Sequence, residues 1–492
     1  MIDSMLTNII FLPLFTAIIL GVLRAKIQMI KIAAMFSSVA TLFLVALTAY
    51  HFDPDGGMQF TKNFIWIENM GISYIVGVDY LSLILLLLIT LLMPPLYIYM
   101  YHEERKGYWY NMMLLQTGIT GAILSLDLIL FYLFWETMLL PIFIMIGKYG
   151  NGLRQYNAMK IILMTILGSM SMLFSIMYIG YIYFNTVGMW SFALSDLSTL
   201  SFDAKTSIWL TAGFLLAFTI KIPLVGFHTW MAPAYGSSPT PAVVILSSIM
   251  AKLGIYGIWR FGFGLFDTTL IYYTPTIVAL ALIGLLYYAI RAITEDNLRK
   301  MFAYSSGSHL SLIALGLFLT NIYAWSGSLY LIATHALATA GIFIMIGLTY
   351  KRFKTVHISD LGGIASKAPL FTFFFTFFAL SIAGLPGTGG FVAELLIIIG
   401  AFKSNFWIGV FTATTMLSAM LYIFWMLQRT LFGSANHDTT YDDLTLREIV
   451  MLLPLVILLL ATGIAPSLFT PLFEPQLNAA LQDILISIEG LK

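Results

Sequence analysis

The sequence predicts an all-α, polytopic membrane protein, and three observations carry that prediction. Of the 492 residues, 60% are hydrophobic and only 10% are charged, against roughly 25% charged in an average soluble protein. The apolar residues gather into fourteen runs long enough to cross a bilayer. The basic residues between those runs alternate in density from loop to loop. So few charges cannot cover a water-facing surface, and the solvent of this chain is lipid.

A span needs about 20 mainly apolar residues. That template places spans near 4–21, 28–50, 79–101, 108–126, 127–147, 157–184, 207–235, 240–262, 271–291, 300–319, 325–349, 368–404, 406–428 and 448–466. The first follows Asp3 with no basic leader, so it reads as a retained span and not a cleaved signal. Spans 4 and 5 divide at Ser125 and Asp127, because nearly 40 apolar residues are too many for one crossing; Asp127 is then expected at the lipid headgroups. The chain divides into spans 1–3 (residues 1–107), two blocks of five spans (108–262 and 263–430), and a loop, span 14 and tail (431–492).

Orientation follows from the Lys and Arg residues. With the N-terminus outside, 17 of the 24 fall on inside loops and 5 outside, Lys492 among them; the other two, Lys221 and Lys252, lie within spans. Basic residues concentrate on the cytoplasmic side, so both termini are expected outside a bacterial inner membrane. The absence of cysteine excludes disulfides, thiolate zinc sites and cysteine-ligated iron–sulfur clusters. No metal site is expected, and no basic run marks a nucleic-acid surface.

Ionisable residues inside a bilayer are costly and usually functional. Glu136 lies about nine residues into span 5, which at 1.5 Å per residue is roughly 14 Å deep in a 30 Å core. Lys221, Lys252, His309 and His335 reach similar depths in spans 7, 8, 10 and 11, and Glu394 joins them if span 12 is interrupted. The six are expected to form a row parallel to the membrane. A Glu136–Lys221 pair could instead be a structural staple, although a buried pair is often no more stable than an apolar replacement. Lys252 has no evident partner in the sequence, and each histidine could serve packing as well as relay. His228, beside a break in span 7, is left open.

Two spans carry helix interruptions. Span 7 reads TIKIPLVGFHTWMAPAYG, with Pro223, and span 12 reads SIAGLPGTGGFVAELL, with Pro386. Proline removes a backbone donor, and in lipid the freed carbonyl is tolerated only where protein or water satisfies it. Each break falls in the fourth span of a five-span block, spans 4–8 and 9–13. Five is odd, so the second block enters from the opposite side. That pattern is an inverted repeat, an architecture of secondary transporters whose sites lie at broken helices.

At these residues the sequence resembles a known family. FYLFWETMLLPIFIMIGKYG, IKIPLVGFHTWMAPAYGSSPTPAVVILSSIMAKLGIYGIWRF, EDNLRKMFAYSSGSHLSLI and LPGTGGFVAELL are similar to the proton-conducting core of the antiporter-like subunits of complex I, over roughly residues 70–430. The resemblance implies a Glu136–Lys221 pair, a central Lys252, and His309 and His335 on a polar axis. A glutamate after LPGTGGF, here Glu394, resembles the M branch (NADH dehydrogenase chain 4); sibling subunits place a lysine there. YSSGSHLSL departs from the family's usual YSSxSHMG but leaves His309 in place. The resemblance implies proton translocation without a redox centre in this chain. FMN, iron–sulfur clusters and quinone are expected in partner subunits, and the partners are other membrane subunits, sibling antiporter-like chains among them. The rivals are a subunit of a sodium/proton antiporter, the same module in a membrane-bound hydrogenase, and a passive scaffold.

The charge argument makes the first prediction. Cysteines introduced at Arg105 and Lys354 should react with an impermeant thiol reagent only from the cytoplasmic side; labelling of either from outside would overturn the orientation.

Overall fold

The computed structural model describes residues 4–434 and 442–489. Asp3, Lys492 and part of the loop before span 14 lie outside the described residues. The helices are α1 (Met5–Val22), α2 (Ile27–Tyr50), α3 (Tyr80–Tyr99), α4 (Lys106–Leu124), α5 (Leu128–Thr137), α6 (Leu139–Tyr149), α7 (Arg154–Val187), α8 (Leu194–Leu197), α9 (Ala204–Lys221), α10 (Met231–Ser237) and α11 (Thr240–Ile245). They continue as α12 (Ala251–Gly257), α13 (Phe263–Thr294), α14 (Leu298–Phe318), α15 (Ile322–Phe353), α16 (Pro369–Ile382), α17 (Gly389–Ser404), α18 (Phe406–Thr430), α19 (Leu446–Ile464) and α20 (Glu474–Glu489). Two π-helical turns, Leu246–Met250 and Ile258–Gly262, flank α12. Ten helical stretches among the described residues are long and apolar enough to cross a membrane.

The chain forms two compact units. Unit 1 holds Met1–Lys221, Leu253–Tyr273 and Gln482–Lys492; unit 2 holds Ile222–Lys252 and Thr274–Leu481. In unit 1, α7 lies close along α9, where Ser171 donates to the Gly213 carbonyl at 3.0 Å. In unit 2, α15 meets α17 through glycines on both sides. A Cβ at Gly327 would come within 2.8 Å of the Ala393 carbonyl oxygen, and one at Gly400 within 2.6 Å of the Ala324 nitrogen. Small residues let membrane helices approach this closely.

Burial separates peripheral helices from central ones. Within their apolar windows α14 and α15 are 94% buried, while α1, α2 and α19 are 33% buried. Helix α14 is also the least apolar of the ten candidate spans. A helix that is both polar and buried is where internal partners must be found.

The structure corrects the sequence at several points. The expectation of an all-α chain misses a hairpin, β1 (Gln59–Ile67) with β2 (Ile72–Val78), paired antiparallel. Its strands alternate β-branched and aromatic residues around a left-handed Gly71, a readable strand signal. Asp127, expected at the lipid headgroups, is buried within the protein. Its carboxylate accepts the Ile129 and Leu130 N–H groups at 2.9 and 3.0 Å, capping α5, and that of Ser73 at 3.2 Å. Spans 8 and 9 are separated by a kink at Phe266 and not by a loop. The span-5 run is itself divided, because Pro141 cannot donate to the Thr137 carbonyl where α5 ends.

Between α13 and α14, Asp296 accepts Ser359 N–H and O–H at 3.0 and 2.9 Å and contacts His357 at 3.1 Å. Partial burial pushes this carboxyl up, but those bonds outweigh it and hold it below the usual carboxylate range. Leu298 N–H to the Val356 carbonyl, at 2.9 Å, completes the stitch that ties the loop after α15 to the start of α14.

Unit 1 also holds a nearly buried ion pair. Arg260 donates to Asp79 at 2.6 Å and to the Tyr256 hydroxyl at 3.2 Å, while Tyr256 donates to the Ile123 carbonyl at 2.6 Å. Asp79 additionally caps α3 through Ser82. Removing one partner of such a pair leaves an uncompensated charge. Arg260→Met is therefore expected to cost about 3–5 kcal/mol and to lower the thermal midpoint in detergent. Asp79→Asn in the same chain should recover part of the loss, and an unchanged midpoint for Arg260→Met would refute the assignment.

Candidate functional site: buried ionisable side chains

Two helix breaks set the positions of two charges. Helix α9 ends at Lys221, just before Pro223, and α17 begins at Gly389, just after Pro386. Gly384 and Gly387 hold φ of 77° and 92°, a conformation that favours glycine, and so let the chain turn between α16 and α17. A helix C-terminus carries partial negative charge and an N-terminus partial positive charge. Lys221 is the last residue of one half-helix, and Glu394 lies in the second turn of the other. The sign of each charge matches its helix end. At the first break, the Tyr288 hydroxyl donates to the Pro223 carbonyl, supplying a partner where the helix stops.

In unit 1, Lys221 and Glu136 are not in direct contact. The Lys221 ammonium has no hydrogen-bond partner and lies 4.7 Å from the Trp135 ring centroid, on the ring face. Oε1 of Glu136 is buried and also lacks a partner. The indole face supports the ammonium from one side.

In unit 2, four of the expected residues meet. Lys252, which the sequence left without a partner, donates to the Ser247 carbonyl at 2.6 Å and shares a 2.9 Å hydrogen bond with His335 Nδ1. Ser247 lies in the π-helical turn Leu246–Met250 that precedes Lys252. Nε2 of His335 is buried without a partner. The His335 and His309 rings stack at 5.0 Å between centroids with planes 24° apart. Stacked rings make no hydrogen bond to each other.

His309 and Glu394 share one proton. Nδ1 of His309 lies 2.9 Å from the Ser305 carbonyl, which can only accept, so Nδ1 carries hydrogen. Nε2 lies 3.1 Å from Oε1 of Glu394. The hydrogen between them belongs either to an imidazolium facing a carboxylate or to a carboxylic acid facing a neutral imidazole. Both side chains are 1% exposed, and the second oxygen of Glu394 is buried without a partner.

His228 packs against Tyr287 and Tyr288 at 4.9 and 5.4 Å between ring centroids. Sequence reasoning missed Trp135, Ser247, Ser305 and Tyr422. Ser305 was readable, four residues before His309 on one helix face. Tyr422, which shares a 2.8 Å hydrogen bond with Ser305, left no sequence signal.

Residues 125–420 match the family described as NADH:quinone oxidoreductase/Mrp antiporter, transmembrane. The chain is 32% identical to NADH-quinone oxidoreductase subunit M of Rhodobacter capsulatus, covering 98% of this chain and 97% of that protein. It is 31% identical to NADH-ubiquinone oxidoreductase chain 4 of Marchantia polymorpha, covering 97% of each. Its fold matches a chain of respiratory complex I from Thermus thermophilus with TM-score 0.88 at 25% identity, covering 98% of this chain and 99% of that one. A chain of the Mrp complex from Dietzia matches with TM-score 0.86 at 21% identity, covering 98% and 97%.

The Lys252–His335 contact makes a prediction independent of activity. His335→Leu removes the side-chain partner of a buried ammonium and should cost about 1–3 kcal/mol, seen as a lower thermal midpoint in detergent. Lys252→Met added to it should recover most of that loss. A double variant less stable than His335→Leu alone would contradict the contact.

Proposed function

The chain belongs to the NADH:quinone oxidoreductase/Mrp antiporter transmembrane family, and on that footing we propose that it is the proton-translocating, antiporter-like subunit M of a respiratory complex I. The observation that carries the reading is the His309–Glu394 pair, two buried groups holding one transferable proton. Partner subunits hold FMN, iron–sulfur clusters and quinone and supply the redox energy; this chain supplies a proton path. In unit 1, Glu136 sets the charge state of Lys221. In unit 2, Lys252 passes protons through His335 and His309 to Glu394, which releases them toward the outside. Water or rotation of an imidazole bridges the stacked rings. A charge change at any member alters its neighbours' proton affinities, because charges couple strongly where water is excluded.

The fold reading is fourteen spans with both termini outside the bacterial inner membrane, arranged as two inverted five-helix repeats over residues 108–262 and 263–430. The helical run Thr240–Thr294 has 55 residues, about 80 Å at 1.5 Å per residue, enough for two crossings. Helices α9 with α10 and α16 with α17 supply broken spans, and α4 the remaining one. The likeness to the Mrp complex is a likeness of fold; a glutamate at 394, where related chains place lysine, favours complex I.

Glutamine at Glu394 keeps nearly the same volume and hydrogen-bonding ability but cannot exchange the proton. NADH-driven proton uptake by vesicles, normalised to assembled complex, is expected to fall at least about tenfold in Glu394→Gln, with assembly retained. Glu136→Gln should reduce uptake and electron transfer together. Near-normal uptake in Glu394→Gln would remove that residue from the path. Full activity in whatever Glu136→Gln complexes assemble would make the Glu136–Lys221 pair a structural staple.

A further inference from the structure

The proposed path reaches Glu394 laterally, through Lys252 and the histidines. Unit 2 holds a second approach to the same carboxylate. A pocket opens among the end of α13, the start of α14, the end of α18 and the stitched loop that carries Ile358. Glu295 and Arg429 stand among its walls, Met301 and Met426 line it, and it reaches Tyr422. It has room for about one water molecule. Tyr422 is otherwise buried, and its hydroxyl lies 2.8 Å from that of Ser305. Ser305 in turn holds His309 by its carbonyl.

We infer that Tyr422 and Ser305 form an independent water-linked entrance that loads the His309–Glu394 pair from the end of unit 2 where α13 stops and α14 starts. A hydrated proton in the pocket passes to the Tyr422 oxygen as the Tyr422 hydrogen moves to the Ser305 oxygen. The Ser305 hydrogen leaves through one further water to the unpartnered oxygen of Glu394. One proton is gained at Glu394, both hydroxyls are regenerated, and no charge remains on either. The tied loop at Asp296 keeps the mouth in place. The inference rests on the proposed role of Glu394 and on the proposed orientation, which puts this end, beside Arg291, Arg299 and Lys300, on the cytoplasmic side.

Met426→Phe adds bulk to the wall of this one-water pocket and leaves Tyr422, Ser305 and Glu394 in place. In inside-out vesicles carrying the intact complex, NADH-driven proton uptake by this variant should fall roughly tenfold or more at normal assembly. Tyr422→Phe keeps the ring and removes the hydroxyl; it should lose uptake by a similar factor at normal assembly. Undiminished uptake per assembled complex, in either Met426→Phe or Tyr422→Phe, overturns the inference. If Glu394→Gln is impaired while Tyr422→Phe is normal, only this entrance falls. If Glu394→Gln is itself normal, the proposed role of Glu394 falls with it.

Discussion

In hydrocarbon, a polar group finds no water, so every break in a helix and every charge must be satisfied by the protein itself. That constraint organises the chain. Helices stop where something can receive them: Tyr288 meets the Pro223 carbonyl, and two left-handed glycines shape the turn before α17. The two terminal half-helices then offer charged ends without any ion. A cation suits the end of α9 and an anion the start of α17, which is where Lys221 and Glu394 lie.

The same constraint explains why the polar residues of unit 2 converge. Helix α14 carries Ser305 and His309 and is almost wholly buried, so its polar groups have to find partners on α15, α17 and α18. Lys252 is held by a carbonyl of a π-helical turn and by one histidine. The close α15–α17 crossing at Gly327 and Gly400 brings together the helices that bear His335 and Glu394.

The apolar helices were legible in the sequence as long apolar runs, and a lone charge within such a run stands out. Glu136, Lys221, Lys252, His309, His335 and Glu394 were found that way, and the breaks announced themselves by proline and glycine. Less legible was anything decided by three-dimensional contact. The partners of Lys252 come from a helical irregularity and from a residue 83 positions away. Asp127 reads as an interfacial residue because its neighbours are apolar, yet its acceptors are consumed by backbone N–H groups from α5 and from the hairpin. The hairpin was readable, but its alternation is hidden beside spans of far greater hydrophobicity. Tyr422 is one aromatic among 26 tyrosines, and only the fold distinguishes it.

The stacking of His309 on His335 bears on the opposite requirement of any energy-converting membrane, which is to hold its voltage. A hydrogen-bonded file that was complete at all times would let protons run back down the gradient they were driven against. Two imidazoles lying face to face interrupt the file while keeping its ends within ring-contact distance. In the proposed path the gap works as a clutch: disengaged at rest, it prevents a short circuit. It closes only for the moment in which a water or a turned ring joins the two sides, so the energy delivered by the partner subunits need act on one junction, not on the whole row.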